Sequence, residues 1–456
     1  MSTAFILFFL LLKQSALAAE MELLLVHALW RHGDRSPTKT FPKDPIQEDD
    51  WKFGGGGFGQ LSPIGMRQHY NLGRQIRRRY IDRLGFLSKK YSSKEIYVRS
   101  TDFNRTIISA LSNLMGMYGY NHGHSEKNVD YPDVEGWPTG YVPIAVHTVE
   151  AATDYLLPAE HESTICKRRN QLRKIAQESE EAKAFLTSHE VVELFKNLTA
   201  FCGQNITVNN FWSIRDILMI EQIHKKDRLR NESKWFSDEL FKKMTEVDIR
   251  IEPYQAATFN KTVTFNNLDL WQEYQKVCGG SLFNDIKMRM DLKWDCLINH
   301  HSRCRWIDGL KYFVYSAHDV NVFAFFSILR LLHSEVVMPD GYVPYAAAVF
   351  VELWKNNTDG KPYFRLAYHR KPDETGDTIY TITQEIEPCE GKEFCKLDVY
   401  RDIAAKVKPD QEMAKLCLID PNPSSSTESP PSPASTMWQP HFMIALILLS
   451  LKWVYF

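Results

Sequence analysis

A short string of the sequence, Arg31 to Pro37 (RHGDRSP), combines residue types that could carry out chemistry on phosphorus. Its two guanidiniums, Arg31 and Arg35, flank the imidazole of His32. Guanidinium groups match phosphate oxygens in bidentate geometry and keep their charge at any working pH. A neutral imidazole beside them can attack phosphorus, and Gly33 would let the backbone come close to the ligand. The string therefore predicts a site of phosphoryl transfer.

Two further loops carry chemical groups directly after short apolar segments. Arg99 ends the segment IYVRS, and His318 and Asp319 follow YFVYSA. Because open α/β sheets bind ligands at the carboxyl ends of their strands, we expect both loops to converge on the arginine-rich string. A carboxyl group donates a proton only while protonated, and the negative charge of a bound phosphate raises its pKa. Asp319 is therefore a candidate acid, and turnover should favour low pH.

The apolar segments indicate the elements that must position these loops. Leu23 to Leu29 is a continuous apolar run of strand length that is followed by a polar loop. Three units in which a strand is followed by a polar loop and a helix occur along the chain. They predict an α/β domain, with a mostly parallel central sheet flanked by helices, over residues 19–149 and 301–420. Residues 150–300 mix charged and apolar residues at helical spacing, which predicts a smaller inserted helical domain.

Composition excludes several classes of function. The 456 residues include 55 Lys and Arg against 56 Asp and Glu, so no global positive field exists to hold a nucleic acid. We interpret the basic patch at Arg74 and Arg77–Arg79 as the solvated face of a helix. The glycine pattern at Gly54–Gly59 follows no strand, so we interpret it as a flexible loop rather than a dinucleotide site.

The two ends of the chain predict secretion and membrane attachment. Residues 1–18 have the apolar run and small residues of a signal peptide, and six N-x-[ST] sequons are compatible with the secretory route. Residues 421–440 are rich in Pro and Ser and predict an extended stalk. Residues 441–456 predict a hydrophobic C-terminal anchor, either a single-pass type I segment or a lipid-anchor signal. Both alternatives place the catalytic domain in a lumen or outside the cell.

In its motifs the sequence resembles the histidine acid phosphatases, the branch that includes the lysosomal and prostatic acid phosphatases. The resemblance runs from about Glu22 to Cys417. Besides RHGDRSP, it is carried by Gly57–Tyr80, by Val98–Thr106 (VRSTDFNRT) and by Tyr315–Asp319 (YSAHD). It implies a large α/β domain with a smaller helical one, and hydrolysis of phosphate monoesters without a metal or another cofactor.

The resemblance also implies a role for each site residue. His32 would be the nucleophile and Asp319 the proton donor. The residues expected to bind the phosphoryl oxygens are Arg31, Arg35, Arg99 and His318. We expect a phosphate monoester substrate, attachment to a membrane through the C-terminal segment and no nucleic-acid partner, and we leave a homodimer open.

Two alternative functions also stay open. The first is a phytase-like or inositol-polyphosphate phosphatase, which a strongly basic loop set around the pocket would indicate. The sequence shows no such cluster beyond the motif arginines. The second is a non-catalytic binding ectodomain on the same scaffold, against which the complete set of site residues argues.

Eight cysteines in a chain that we expect to be secreted favour disulfides. The resemblance implies the pairs Cys166–Cys417 and Cys389–Cys395. Elimination then leaves four cysteines, for which we predict Cys202–Cys278 and Cys296–Cys304, with pairing of Cys202 to Cys296 or Cys304 left open. The chain has no C-x-x-C pair, and we expect no metal site at His300 and His301.

Overall fold

A seven-stranded mixed sheet flanked by helices organises the chain. The computed structural model describes residues 20–119, 124–159, 166–259, 262–370 and 378–421. The strands are β1 (Met21–Arg31), β2 (Ile96–Ser100), β3 (Thr264–Phe265), β4 (Leu268–Asp269), β5 (Tyr312–Ala317), β6 (Ala348–Asn356), β7 (Pro362–His369), β8 (Ile379–Thr381) and β9 (Cys395–Lys396). The helices are α1 (Pro63–Ile76), α2 (Asn104–Tyr118), α3 (Lys167–Gln177), α4 (Glu180–Leu186), α5 (His189–Cys202), α6 (Phe211–Ile223), α7 (Arg228–Glu232), α8 (Asp238–Gln255), α9 (Leu270–Cys278), α10 (Gly280–Ile298), α11 (Asp319–Ile328), α12 (Leu397–Lys406) and α13 (Met413–Leu416).

Parallel pairing brings the three predicted strands together. The sheet order is β2-β5-β1-β6-β7-β8, and β9 pairs with β7. β5 lies between β1 and β2 and is parallel to both, with Arg31 beside Ala317 and Ser100 beside Ser316. The later strands β6 to β9 extend the sheet by antiparallel pairing. The predicted α/β class is confirmed, and the register places the loops after β1, β2 and β5 at one edge.

Side-chain alternation along β1 divides the sheet into two buried faces. Leu25 and Leu29 belong to a core that also contains residues of α10, α11 and α12. Val26 and Trp30 point to the opposite face and belong to a core that contains residues of α1 and α2. Because both faces are covered by helices, the strand is apolar throughout rather than alternating, as its sequence indicates.

Helices α3 to α9 bury a separate apolar core. Leu172, Ile214 and Val247 contribute to it from α3, α6 and α8. The following helix, α10, packs with the sheet instead, through residues such as Phe283 and Ile286. The exact division of the chain into domains stays a prediction.

The basic patch at the end of α1, Arg74 and Arg77–Arg79, is only partly solvated. Arg74 and Arg78 are exposed, but Arg77 is buried and donates a hydrogen bond to the Met117 carbonyl at 2.7 Å. Arg79 lies 3.1 Å from the fully buried carboxylate of Glu352. The interpretation of the whole patch as a solvated face is therefore wrong, because buried acceptors of α2 and β6 hold two of its arginines.

Three of the four expected disulfides are present. Cys166–Cys417, Cys389–Cys395 and Cys296–Cys304 are confirmed. Because Cys296 and Cys304 are joined to each other, their sulfurs are not available as metal ligands beside the neighbouring His301.

The expected pair Cys202–Cys278 is wrong, because both side chains are thiols. Cys202 ends α5, where its carbonyl accepts a hydrogen bond from the Lys43 amide, and burial raises the pKa of its thiol to about 12. Cys278 ends α9 and lines a different part of the molecule, the large cavity described below.

Several sequence-based predictions lie outside the described residues. These are the signal peptide, the Pro/Ser-rich stalk apart from Pro421, the C-terminal anchor and the sequon at Asn260. Within the residues that the structure does describe, we find no helix with the length and apolar character needed to cross a membrane.

Candidate active site

A cavity of about 210 Å³ opens at the carboxyl ends of β1 and β5. Five of the six predicted site residues line it: Arg31, His32, Arg35, His318 and Asp319. Helices α3, α6, α8 and α9 supply the facing wall. The parallel register of β1 and β5 therefore brings together residues that lie almost 300 positions apart in the sequence.

His32 follows β1 and is buried in its neutral form. Its backbone amide donates to the carbonyl of Ala317, at the end of β5, at 3.0 Å. Its Nδ1 lies 2.8 Å from the Gly33 carbonyl oxygen, which can only accept, so Nδ1 carries the proton and Nε2 keeps a lone pair. Burial lowers the pKa of His32 well below its ordinary value, and the charge of Arg105 lowers it further. The imidazole is thus held in its nucleophilic form.

Two glycines allow the loop after β1 to pack against the first turn of α1. A Cβ on Gly33 would lie 2.5 Å from the Gly65 carbonyl oxygen, and a Cβ on Gly65 would lie 2.2 Å from that of Asp34. Neither position has room for a side chain. Gly33 is therefore required by the close approach of α1, and its amide donates to Ser109 of α2. Asp34 points away from the cavity and bonds His224 after α6 at 2.7 Å.

Each arginine of the string has a carboxylate partner. Arg31 Nη2 lies 2.7 Å from Asp319 Oδ2, and the Arg31 guanidinium stacks 4.1 Å above the Tyr345 ring. Arg35 binds both oxygens of Asp216 on α6, at 3.0 and 3.4 Å. Burial by itself would lower the pKa of Arg35, but the charge and the hydrogen bonds of Asp216 raise it, and the net effect is a raised pKa. Sequence motifs gave no signal for Asp216, because it lies on a distant helix.

The structure places Arg99 away from the cavity. Arg99 is buried beside Asp154, with Nη2 2.5 Å from Oδ2, and its Nη1 bonds the Ser100 carbonyl. Its prediction as a phosphate ligand therefore needs correction. A side chain near the end of β2 can point to either face, and this one points to the loop that carries Asp154.

Arg105, in the first turn of α2, lines the cavity instead of Arg99. Its side chain is 7% exposed and stacks on Phe103 at 4.7 Å. Among the described residues no carboxylate pairs with Arg105, and its Nε has no hydrogen-bond partner. Burial lowers the pKa of Arg105 to about 9, and the nearby charge of Arg35 contributes. A buried cation without a counter-ion is a strong candidate to bind an anion. Arg105 lies inside the stretch VRSTDFNRT, so a signal for it existed in the sequence.

His318 and Asp319 lie at the start of α11, directly after β5. His318 Nε2 is 3.0 Å from Thr101 Oγ1, and its ring centre is 5.5 Å from that of His32. The Asp319 side chain is 40% exposed and accepts a hydrogen bond from the Val320 amide at 2.9 Å. Burial raises the pKa of Asp319, but the charges of Arg31, His318 and Arg35 together outweigh this, and the pKa lies below its ordinary value. Asp319 is therefore ionised when the site is empty.

The helical wall adds arginines that sequence motifs did not indicate. Arg169 and Arg173 of α3 and Arg215 of α6 also line the cavity. Arg215 lies 3.7 Å from Asp248 of α8, and burial raises the pKa of that carboxyl to about 6. The sequence showed no basic cluster beyond the motif arginines, and these three arginines come from helices rather than from a basic loop set. Their helices reach the site only through tertiary packing, so local patterns gave no signal.

Comparison with known proteins agrees with this geometry. Residues 22–369 match the model of the histidine phosphatase superfamily (branch 2). A Caenorhabditis elegans relative, "Putative acid phosphatase 10", is 32% identical over 88% of this chain and 94% of its own length. Human lysosomal acid phosphatase is 31% identical over 76% of this chain and 71% of its own length.

Solved structures share the fold at lower identity. Hafnia alvei phytase in complex with myo-inositol hexakis sulphate is 14% identical, with a TM-score of 0.58 over 87% of this chain and 99% of that one. This similarity shows the fold alone. The predicted family and the predicted assignment to the phosphatases are confirmed by the sequence comparisons. The chain belongs to branch 2 of the histidine phosphatase superfamily.

Proposed function

We propose that this protein is an acid phosphatase that hydrolyses phosphate monoesters through a phosphohistidine at His32. The observation that carries the proposal is the state of His32: it is buried and neutral, with its proton fixed on Nδ1 by Gly33. Nε2 is therefore the free nucleophilic atom, in a cavity that contains Arg31, Arg35 and Arg105. Such a cluster stabilises the charge that spreads over a transferring phosphoryl group.

The phosphoryl oxygens would be bound by a corrected set of groups. We replace Arg99 by Arg105, because only the latter lines the cavity and its charge is not neutralised by a carboxylate among the described residues. Arg31 and Arg35 already bind carboxylates, which hold their guanidiniums in place at the end of β1. His318 completes the set from the start of α11.

The reaction would proceed in two balanced steps. First, the Nε2 lone pair of His32 attacks phosphorus, the bond to the ester oxygen breaks, and the Asp319 carboxyl gives its proton to the leaving oxygen. In the second step a water attacks the phosphohistidine and gives a proton to the Asp319 carboxylate. The phosphorus–nitrogen bond breaks, inorganic phosphate leaves, and His32 returns to its neutral form.

Acidic conditions should favour the first step. Asp319 has a lowered pKa in the empty site, mainly because of Arg31, so it must gain a proton before it can act as an acid. A bound phosphate competes for the charge of Arg31 and places negative charge nearby, and both effects raise the pKa of Asp319. Raising the pH removes that proton again.

Phosphate release from an aryl phosphate between about pH 4 and 8 tests the proposal, since a general acid works best near its own pKa. We expect activity that is highest at the acidic end and unchanged by a chelator, because His32 and the arginines supply the nucleophile and the positive charge. Loss of activity with the chelator, or no phosphate release at any pH, would contradict the proposal.

The two alternative functions receive less support. A phytase-like enzyme would require a strongly basic pocket, but three arginines of this cavity are paired with carboxylates: Arg31 with Asp319, Arg35 with Asp216 and Arg215 with Asp248. A binding ectodomain does not require a neutral, oriented His32. Turnover of an aryl phosphate without turnover of an inositol polyphosphate would exclude both alternatives.

We further propose that the protein enters the secretory pathway and is tethered with its catalytic domain in a lumen or outside the cell. Three disulfides support an oxidising compartment. Truncation after Pro440 should release active enzyme into the medium. Release of the full-length protein by a phosphatidylinositol-specific phospholipase would separate a lipid anchor from a transmembrane one. A homodimer stays a prediction for analytical ultracentrifugation.

A further inference from the structure

We propose that the cavity has a second anion-binding subsite, at Arg169, which receives an anionic group on the leaving-group portion of the substrate. The inference rests on the proposed function and names a substrate class within it. The preferred substrates would be small phosphate monoesters that carry a carboxylate or a second phosphate at some distance from the ester bond.

The charge state of Arg169 carries the inference. Its side chain is only 6% exposed and lines the cavity. Within the described part of the chain it makes no ion pair or hydrogen bond, and its Nε has no partner. The adjacent Arg168, by contrast, binds Glu273 at 2.7 Å. Burying an arginine without an acceptor is costly, so an uncompensated guanidinium that faces a cavity indicates a missing anionic partner.

The other arginines that line the cavity have carboxylate or hydrogen-bond partners, with one exception. Carboxylates accompany Arg31, Arg35 and Arg215, and Arg173 donates to the Gln255 carbonyl and the Tyr274 hydroxyl, both at 3.2 Å. The exception is Arg105, which we assign to the transferred phosphate. Two buried guanidiniums of the lining, Arg105 on α2 and Arg169 on α3, therefore lack carboxylates among the described residues, and a substrate with two anionic groups would satisfy both.

Three packed helices, α11, α9 and α3, link Asp319 to Arg169. Asp319 and Phe323 lie one turn apart on the cavity face of α11, next to the reacting phosphate. α11 packs against α9, whose Tyr274 and Cys278 also line the cavity, and α9 packs against α3, which carries Arg169. An apolar linker between the two anionic groups of the substrate would pack against Phe323, Tyr274 and Cys278 along this path.

Burial distinguishes the inner end of the cavity from its mouth. Gln275, beside Tyr274, is 1% exposed, and its Oε1 has no hydrogen-bond partner. Tyr342 and Ile249, also on the lining, are 39% and 38% exposed and mark the mouth. Arg169, itself 6% exposed, lies on α3, which packs against the helix that carries Gln275, so it belongs to the buried part of the lining. An enclosed site selects a small molecule rather than a segment of a protein.

The test compares substrates that differ only in the distal group. The probes are ω-carboxyalkyl phosphates of increasing chain length, their methyl esters, and alkane bisphosphates of matched length. At a favoured length, we expect either anionic series to exceed the esters about 10–100-fold in kcat/KM, the value of one charge-assisted hydrogen bond. The difference should be expressed mainly in KM, because the distal group does not react.

Variants assign that preference to Arg169. Arg169→Met keeps much of the volume and should bring the ratio of acid to ester close to one, whereas Arg169→Lys should restore part of it. Arg67→Gln, at an exposed position on α1, is the matched control and should keep the full ratio. Circular dichroism and hydrolysis of the esters show that each variant is folded.

Two results would overturn the inference: equal kcat/KM for acids, bisphosphates and esters at every length, or a preference that survives Arg169→Met. Failure of the proposed function has a different signature, namely no hydrolysis of any phosphate. In that event calorimetric binding of the ω-carboxyalkyl phosphates, with and without Arg169, still decides whether the subsite exists.

Discussion

Replacing Arg105 by methionine should abolish most activity and yet stabilise the empty protein. Arg105 is 7% exposed and has no carboxylate partner among the described residues. Burial lowers its pKa from 12.5 to about 9, which corresponds to a cost of about 4–5 kcal/mol for the charged form. Below pH 9 the group is charged in both the folded and the unfolded protein, so this cost is fully present at neutral pH.

The two effects have different magnitudes. Loss of two charge-assisted hydrogen bonds to phosphate, each worth about 1.5–3 kcal/mol, should lower kcat/KM by about 10²–10⁴-fold. Relief of the buried charge should raise Tm by about 2–6 °C, since lost packing offsets part of the gain. The assays are aryl phosphate kinetics and thermal unfolding in phosphate-free buffer.

Arg99→Met is the matched control, because Arg99 is an equally buried arginine outside the cavity. The change leaves the carboxylate of Asp154 buried without its partner, which should lower the free energy of unfolding by about 3–5 kcal/mol. Folded molecules should lose less than about tenfold in kcat/KM. The reverse pattern, in which Arg99→Met abolishes activity and Arg105→Met destabilises the protein without loss of rate, would refute the reasoning.

Three further predictions concern the acid and the thiols. Asp319→Asn should slow hydrolysis of alkyl phosphates by about 10²–10⁴-fold but affect nitrophenyl phosphate far less, and equal losses would contradict its role as proton donor. Arg31→Gln removes the cation that most lowers the pKa of Asp319, so the pH above which alkyl phosphate turnover falls should move upward. An unchanged alkaline side of the pH–activity profile would exclude this coupling. The denatured, unreduced protein should release two titratable thiols, Cys202 and Cys278, whereas none would indicate a fourth disulfide.

Local sequence patterns were sufficient for the strands and loops that build half of the site. β1, β2 and β5 are short apolar segments followed by polar loops, and parallel pairing necessarily aligns the carboxyl ends of such strands. The positions of His32 and Asp319 at one sheet edge follow from that rule. These two positions do not depend on the rest of the molecule.

The other half of the site depends on the direction of individual side chains and on packing between distant parts of the chain. Arg99 and Arg105 lie in the same matched stretch, and only the structure shows that one points to Asp154 and the other to the cavity. Asp216 and Arg169 reach the site from helices whose placement is set by their own apolar core. Sequence spacing carries no information about such contacts.

The central claim is that His32 attacks phosphorus, and trapping of the intermediate tests it most directly. Rapid quenching into alkali, during turnover of a ³²P-labelled nitrophenyl phosphate, preserves a phosphohistidine, because that bond is labile only to acid. The Asp319→Asn variant keeps the nucleophile and is a second source of the intermediate. We predict an acid-labile, alkali-stable label on the peptide that contains His32, and no label in His32→Ala. Label on another residue, or turnover by His32→Ala, would contradict the account.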